Sequence, residues 1–323
     1  GKYVSLKKYK DESKICRNPH KGWYHHFYDN GLINYGSYLK EDDFLEDFPG
    51  LNHIYLRLAW SYLEPEEGQF KWEIIDRVID KWVPRGYGIA FRISCKETDR
   101  EQIFATPEWV MKAGAKGGFY PNIWSNGWSN WEPEYGDPVC LEKLENFHKA
   151  FAQRYDDKPW VEYVDIGSYG DWGEGHTIPG SKKDWPSHVL KEHVELHLRH
   201  YKNNFLVIND DHISCRYTDT ESKQELLDYF AGKGLAFRDD SVCVKIYENN
   251  ETGYSTLRFP EMFDIFWRHR PIDLELDHYH QTKQYETWKA GLPFLTAVEE
   301  AHATFIGFHG NARDFLMENK ELA

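Results

Sequence analysis

Residues 271–280 read Pro271-Ile272-Asp273-Leu274-Glu275-Leu276-Asp277-His278-Tyr279-His280. Apolar and charged side chains alternate strictly, which is the period of a β-strand. Ile272, Leu274 and Leu276 then face one side, and Asp273, Glu275 and Asp277 the other. An exposed edge strand would keep the acids in water. In a closed barrel there is no edge, so they point into the interior. Burying carboxylates there is costly unless they are paired or used in chemistry.

Outward from this strand the chain repeats a rhythm of short apolar runs and amphipathic stretches. Candidate strands are Gly22–Tyr28, His53–Leu58, Gly88–Ser94, Val161–Gly167, Phe205–Asn209, Gly234–Arg238, Ile272–His278 and Thr304–His309. Their average spacing is about 40 residues in a chain of 323. Helix-like patterns lie between them. Trp72–Val83 puts Ile74, Ile75, Val78, Ile79 and Trp82 on one face, and Leu141–Tyr155 does the same with Leu144, Phe147, Phe151 and Tyr155. Ser187–Tyr201, Ser222–Ala231, Phe259–Trp267 and a charged terminal helix, Ala312–Ala323, complete the series. Strands alternating with helices imply βα units and a parallel sheet. Eight such units predict an α/β fold, a (β/α)8 TIM barrel forming one catalytic domain over residues 1–323. No sequence-level repeat and no Pro/Ser/Gly-rich linker divides it. The longest irregular stretch, Lys112–Pro138, holds five Gly, three Trp and three Pro. A loop of that length is expected to be functional or a lid.

Composition narrows the function. The chain carries 53 acids against 39 Lys and Arg, a net charge of −14. That argues against a phosphate-tracking nucleic-acid partner and against an anionic membrane surface. No run of 18 apolar residues predicts a membrane span. No G-x-G-x-x-G or Walker loop follows a strand, which weakens nucleotide cofactors, and none is expected. The five cysteines, Cys16, Cys95, Cys140, Cys215 and Cys243, are scattered and are expected to be buried small hydrophobes. Aromatics are abundant, with 13 Trp, 21 Tyr and 19 Phe. The start, Gly1-Lys2-Tyr3, carries neither a leader pattern nor an initiator Met, as a processed start would, so targeting is not read from it and a secreted or periplasmic location stays open. Homo-oligomerisation is open too.

Barrel function collects at the carboxyl ends of the strands. The fourth candidate strand continues as Ser168-Tyr169-Gly170-Asp171-Trp172-Gly173-Glu174-Gly175-His176, so glycine turns present Glu174 beside a Trp and a His. Glu174 and Glu275 are 101 residues apart, three βα units. Two carboxylates so placed fit glycoside hydrolysis, in which retaining enzymes hold the pair about 5–5.5 Å apart.

With these residues the chain resembles the barrel glycoside hydrolases of clan A, nearest to the family-42-type β-galactosidases and related uncharacterised barrels. The likeness runs through Asn18-Pro19-His20-Lys21-Gly22-Trp23, through Arg57-Leu58-Ala59-Trp60-Ser61-Tyr62-Leu63-Glu64-Pro65-Glu66-Glu67-Gly68, through Thr106-Pro107-Glu108-Trp109-Val110, and through the Glu174 loop. The resemblance implies Glu174 as acid/base and Glu275 as nucleophile of a retaining, double-displacement β-glycosidase acting on an oligo- or polysaccharide. It implies no metal. One departure is that the clan's Asn before its acid/base Glu is Gly173 here. Asn209 or His176 is a candidate for that Asn's task. Arg57 is expected to keep Glu275 ionised.

Further strand-end groups could bind sugar hydroxyls: Tyr24, His25 and His26; Lys96 and Glu97; Asn209, Asp210, Asp211 and His212; Arg238, Asp239 and Asp240; Tyr279 and His280; and His309. Trp60, Trp124, Trp128, Trp131 and Trp172 fall in loops and could stack on sugar rings, whereas Trp82 and Trp267 sit at helical spacing and are expected in the core. Two other functions compete. One is a non-catalytic carbohydrate-binding barrel, favoured by Gly173. The other is a metal-dependent hydrolase using Glu174-x-His176, His278-x-His280 or Asp210-Asp211-His212. Adjacent His25 and His26 cannot serve one ion, because neighbours on a strand point to opposite faces.

Overall fold

The computed structural model describes residues 20–28, 32, 39–123, 127–216, 220–248, 257, 259–308 and 312–322. Among the described residues there are ten strands: β1 (Gly22–Tyr28), β2 (Leu51–Ala59), β3 (Gly88–Ser94), β4 (Gly117–Pro121), β5 (Ser129–Pro133), β6 (Val161–Asp165), β7 (Leu206–Asn209), β8 (Ala236–Val242), β9 (Ile272–Leu276) and β10 (Phe305–Phe308). Eight of them close into a parallel barrel in the order β1-β10-β9-β8-β7-β6-β3-β2. The predicted barrel is therefore the observed fold, and β1 and β3 have the predicted bounds. The stretch 112–138 differs from expectation, because β4 and β5 pair within it as an antiparallel hairpin.

Helices cover the outside. Glu73–Trp82 buries Ile74, Ile75, Val78 and Trp82, and its first turn carries Glu73 and Asp76 toward the positive end of the helix dipole. Pro138–Tyr155 starts with proline, and the Asp137 side chain accepts from the Cys140 N–H at 2.9 Å, capping a donor the helix cannot satisfy. These faces pack against outward strand residues such as Leu56, Phe91, Ile272, Leu274 and Leu276 in one apolar core. Cys95, Cys140 and Cys243 are buried free thiols and Cys215 is partly exposed.

The barrel interior is built in two layers. Tyr24, Tyr55, Ala90, Tyr163, Val207, Ala236 and Phe305 form a small apolar and aromatic lower layer. Gly307 makes room for it, since a Cβ there would lie 2.2 Å from the Tyr24 ring. Above it the inward positions are charged. Parallel register sets Arg57 beside Arg92, Arg92 beside Asp165, Asn209 beside Arg238, and Arg238 beside Asp273. Interior layers of TIM barrels are usually branched and apolar. A charged upper layer directly under the strand ends makes that end the candidate site.

Candidate active site

Glu275 is, with Asp273, an inward residue of β9 and is fully buried. Its Oε2 lies 2.7 Å from His26 Nε2, and Arg238 Nη2 donates to the same oxygen. Arg238 also donates from Nη1 to Asp273 Oδ2 at 3.0 Å and faces Asp165 Oδ2 across 3.6 Å through Nε. Burial works against a charge on Arg238, but Glu275 and Asp273 hold the guanidinium protonated. Asp273, pushed up to about 6 by burial, is steadied by Arg238 and by the Tyr163 hydroxyl, which donates to it at 2.8 Å.

Glu174 reaches the site by a different route. After β6 the chain turns through Gly167, Gly170 and Gly173 into a short 3-10 turn, Asp171–Gly173. Trp172 in this turn has φ +56°, a left-handed conformation costly for a side chain with a Cβ. Glu174 keeps 14% side-chain exposure. Its Oε2 lies 3.1 Å from His176 Nε2. Its Oε1 faces Arg92 Nη2 at 3.8 Å and Arg57 Nη1 at 4.0 Å. Burial pushes the Glu174 carboxyl up to about 7, Asp240 adds to the rise, and His176 and Arg92 oppose it. For His176 burial disfavours the charge, yet Glu174, Asp211 and Asp171 outweigh it and raise the imidazole to about 9.

The two carboxylates are joined by a continuous ionic ladder. It runs from Glu174 to Arg92 at 3.8 Å, to Asp165 at 3.6 Å, to Arg238 at 3.6 Å, and on to Glu275. The Tyr55 hydroxyl also donates to Asp165 at 2.5 Å. Arg92 and Asp165 escaped the sequence reading. Their signal was available: Arg92 is the one charge in Gly88–Ser94, and Asp165 closes Val161–Asp165 two residues after inward Tyr163, so each is a charge at an inward position, as Glu275 is.

Gly173 now has a physical reason. A Cβ there would lie 2.5 Å from Gly167 O and 2.7 Å from its Cα, so no asparagine fits the turn as it stands. Of the two candidates for that Asn's task, His176 bonds Glu174, while Asn209 is committed to Asp240 Oδ2 at 2.8 Å and to the Asp211 N–H at 3.1 Å.

Several anticipated positions are corrected. Arg57 sits with Glu174 and with Glu97, whose Oε1 is 3.6 Å from its Nε, and the cation hydrogen-bonded to Glu275 is Arg238. Register across β8 and β9 decides this, and it is not visible in either strand alone. His25 faces outward against Phe27 and Trp82, and burial lowers it to about 3; the inward histidine is His26. Tyr24 lies in the lower layer, donating to Leu274 O at 3.2 Å, below the level of Glu275. Trp60 is fully buried, with its indole N–H on Glu64 Oε2 at 2.7 Å, and Trp131 is buried too, so neither is a sugar platform. Tyr279 packs against Phe315 and Trp288 and bonds Glu318 at 2.7 Å, away from the interior. Asp210 is buried, its backbone N–H on Arg238 O at 2.8 Å and its carboxylate grouped with those of Asp211 and Asp240, and His280 is exposed beside His278. Trp172 stands edge-on to His176 with ring centres 5.7 Å apart. Trp124 and His309 lie outside the described residues.

Among the described residues, two side-chain sets have ligand spacing for a metal ion: Glu174, His176 and Asp211, and Asp210, Asp211 and Asp240, each with candidate donor atoms within 4.8 Å of one another. A protonated His176 between Glu174 and Asp211 supplies a cation to the first set from the protein itself.

Comparison with known proteins bears on the fold and on the segment matched. Residues 48–168 match glycoside hydrolase family 42, described as β-galactosidase. That segment carries β2, β3 and β6 but stops short of both Glu174 and Glu275. β-Galactosidase BbgII from Bifidobacterium bifidum is 27% identical over 105 residues, covering 32% of this chain and only 14% of that enzyme. Among solved structures, xylanase 10B from Thermotoga petrophila, in complex with xylobiose, superposes with a TM-score of 0.55 at 13% identity, over 96% of this chain and 86% of that one. TsXylA, an intracellular xylanase from Thermoanaerobacterium saccharolyticum, gives 0.54 at 13% identity over 90% and 86%. No helix among the described residues is long and apolar enough to cross a membrane. By matched segment and by barrel, the chain is similar to the clan A (β/α)8-barrel glycoside hydrolases.

Proposed function

We propose that the protein is a retaining β-glycosidase that cleaves an oligo- or polysaccharide by double displacement. The observation that carries this reading is the contrast between two glutamates at the strand ends. Glu174 is raised to about 7 and can hold a proton near neutrality. Glu275 receives a guanidinium and an imidazole on one oxygen, an arrangement that favours a carboxylate. Glu174 donates its proton to the glycosidic oxygen while a Glu275 oxygen bonds to the anomeric carbon and the C–O bond to the leaving group breaks. Glu174, now ionised, takes a proton from water, which displaces Glu275 with net retention. Glu275 is covered in this state, so entry of the sugar requires the side chains over it to part.

Screening aryl β-galactosides, glucosides, mannosides and xylosides tests the reading. Turnover that Glu275→Gln abolishes, with folding intact, supports it; no turnover on any glycan, with sugar binding retained, supports a binding barrel instead. The two donor sets at Asp211 favour a second reading, a metal-dependent hydrolase. Loss of turnover on chelation, restored by a divalent cation, would establish that alternative.

A further inference from the structure

Trp128 and Trp172 come from separate segments, one just ahead of β5 and the other from the Glu174 loop, yet both are fastened to one residue. The Trp128 indole N–H donates to Thr98 O at 3.0 Å, and the Trp172 indole N–H donates to Thr98 Oγ1 at 3.0 Å. Each ring is tethered by its edge. Both keep part of their surface exposed, in contrast to buried Trp60 and Trp131. The Trp172 backbone is held in its left-handed conformation by an N–H bond to Lys96 O at 2.8 Å. Strain maintained by surrounding contacts is typical of functional positions.

The barrel order places this pair relative to the chemistry. Thr98 follows β3, which is diametrically opposite β9 in the ring of eight, and β6, whose loop carries Glu174, lies beside β3. Trp172 shares the Glu174 loop and stands edge-on to His176, whose Nε2 is 3.1 Å from Glu174 Oε2, so the tethered pair lies on the Glu174 side of the barrel mouth. In the mechanism proposed above, the leaving group departs on the side of the acid. Resting on that reading, we infer that Trp128 and Trp172 form an aglycone subsite, a platform for a sugar ring of the leaving group. The substrate then carries at least one sugar beyond the bond that is cleaved.

The test compares β-glycosyl fluorides, whose leaving group has no ring, with β-linked disaccharides of the same sugar, drawn from galactose, glucose, mannose and xylose. Trp128→Ala is expected to lower kcat/KM for the disaccharide about tenfold more than for the fluoride, the scale of one aromatic contact, chiefly through KM. Trp128→Phe, which keeps a ring and is the milder change for folding, should lie between. Equal losses on both substrates in both variants would overturn the subsite while leaving the glycosidase reading intact. A wild type inactive on every fluoride and disaccharide would overturn both.

Discussion

His176 Nε2 stands 3.1 Å from Glu174 Oε2, and both groups are raised, for different reasons: the carboxyl to about 7 by burial and by Asp240, the imidazole to about 9 by its acidic neighbours against the cost of burial. Near neutral pH the imidazolium is thus charged while Glu174 is poised to exchange its proton. A general acid works best when its pKa lies near the working pH.

The first consequence is a pH profile. Glu174 is protonated below about 7 and ionised above it. The value of kcat/KM toward sugar leaving groups should be level below that point and fall about tenfold per pH unit above it. Glu174→Gln should remove this limb and cost about 10²- to 10⁴-fold on unactivated substrates. A limb that persists in the variant would assign it to another group.

His176 acts on the same limb. As a cation it opposes the rise of the Glu174 carboxyl. Removing the charge with His176→Gln should raise the Glu174 pKa further and move the alkaline limb to higher pH. The measurement is the same profile on the variant; an unmoved or acid-shifted limb counts against the coupling.

Arg238 is the hub of the buried layer, with Asp165, Asp273 and Glu275 all around its guanidinium. Arg238→Met should leave Asp273 and Glu275 without this cation, Asp165 keeping Arg92, and cost about 3–5 kcal/mol of stability, the penalty for stranding buried charge. Urea unfolding checks the magnitude, and a loss below about 1 kcal/mol would show the layer is solvated rather than paired.

Gly173→Asn restores the residue usual in clan A, and the turn forbids it. The new Cβ would lie 2.5 Å from Gly167 O at a backbone φ of +78°. The loop must shift, at a cost of about 1–3 kcal/mol, and a displacement of about 1 Å at Glu174 should reduce kcat about 10²-fold. Improved activity in this variant, assayed with a thermal melt alongside, would show that the turn is not the constraint.

The barrel was legible because each strand carries its own period. Glycine opens β1 and β3, and the alternation of β9 announced buried acids at Asp273 and Glu275. What lay between strands was not legible. Which arginine meets Glu275 depends on the β8–β9 pairing of Arg238 with Asp273, a register no single segment encodes. The hairpin of β4 and β5 was hidden by glycine, proline and asparagine in a stretch that otherwise looks irregular. The tryptophan surplus was misjudged because a loop position in sequence does not imply exposure: of the tryptophans expected to stack on sugar rings, Trp60 and Trp131 are core, whereas Trp128 and Trp172 keep exposed surface.

The most direct test of the central claim is to trap the covalent intermediate. Wild-type protein is incubated with 2-deoxy-2-fluoro-β-glycosyl fluorides of galactose, glucose, mannose and xylose, digested, and mapped by mass spectrometry. Double displacement through Glu275 predicts one sugar adduct per chain, on the peptide containing Glu275 and on that residue. An adduct on any other carboxylate, or turnover of β-glycosides with inverted products and no adduct, would contradict the account.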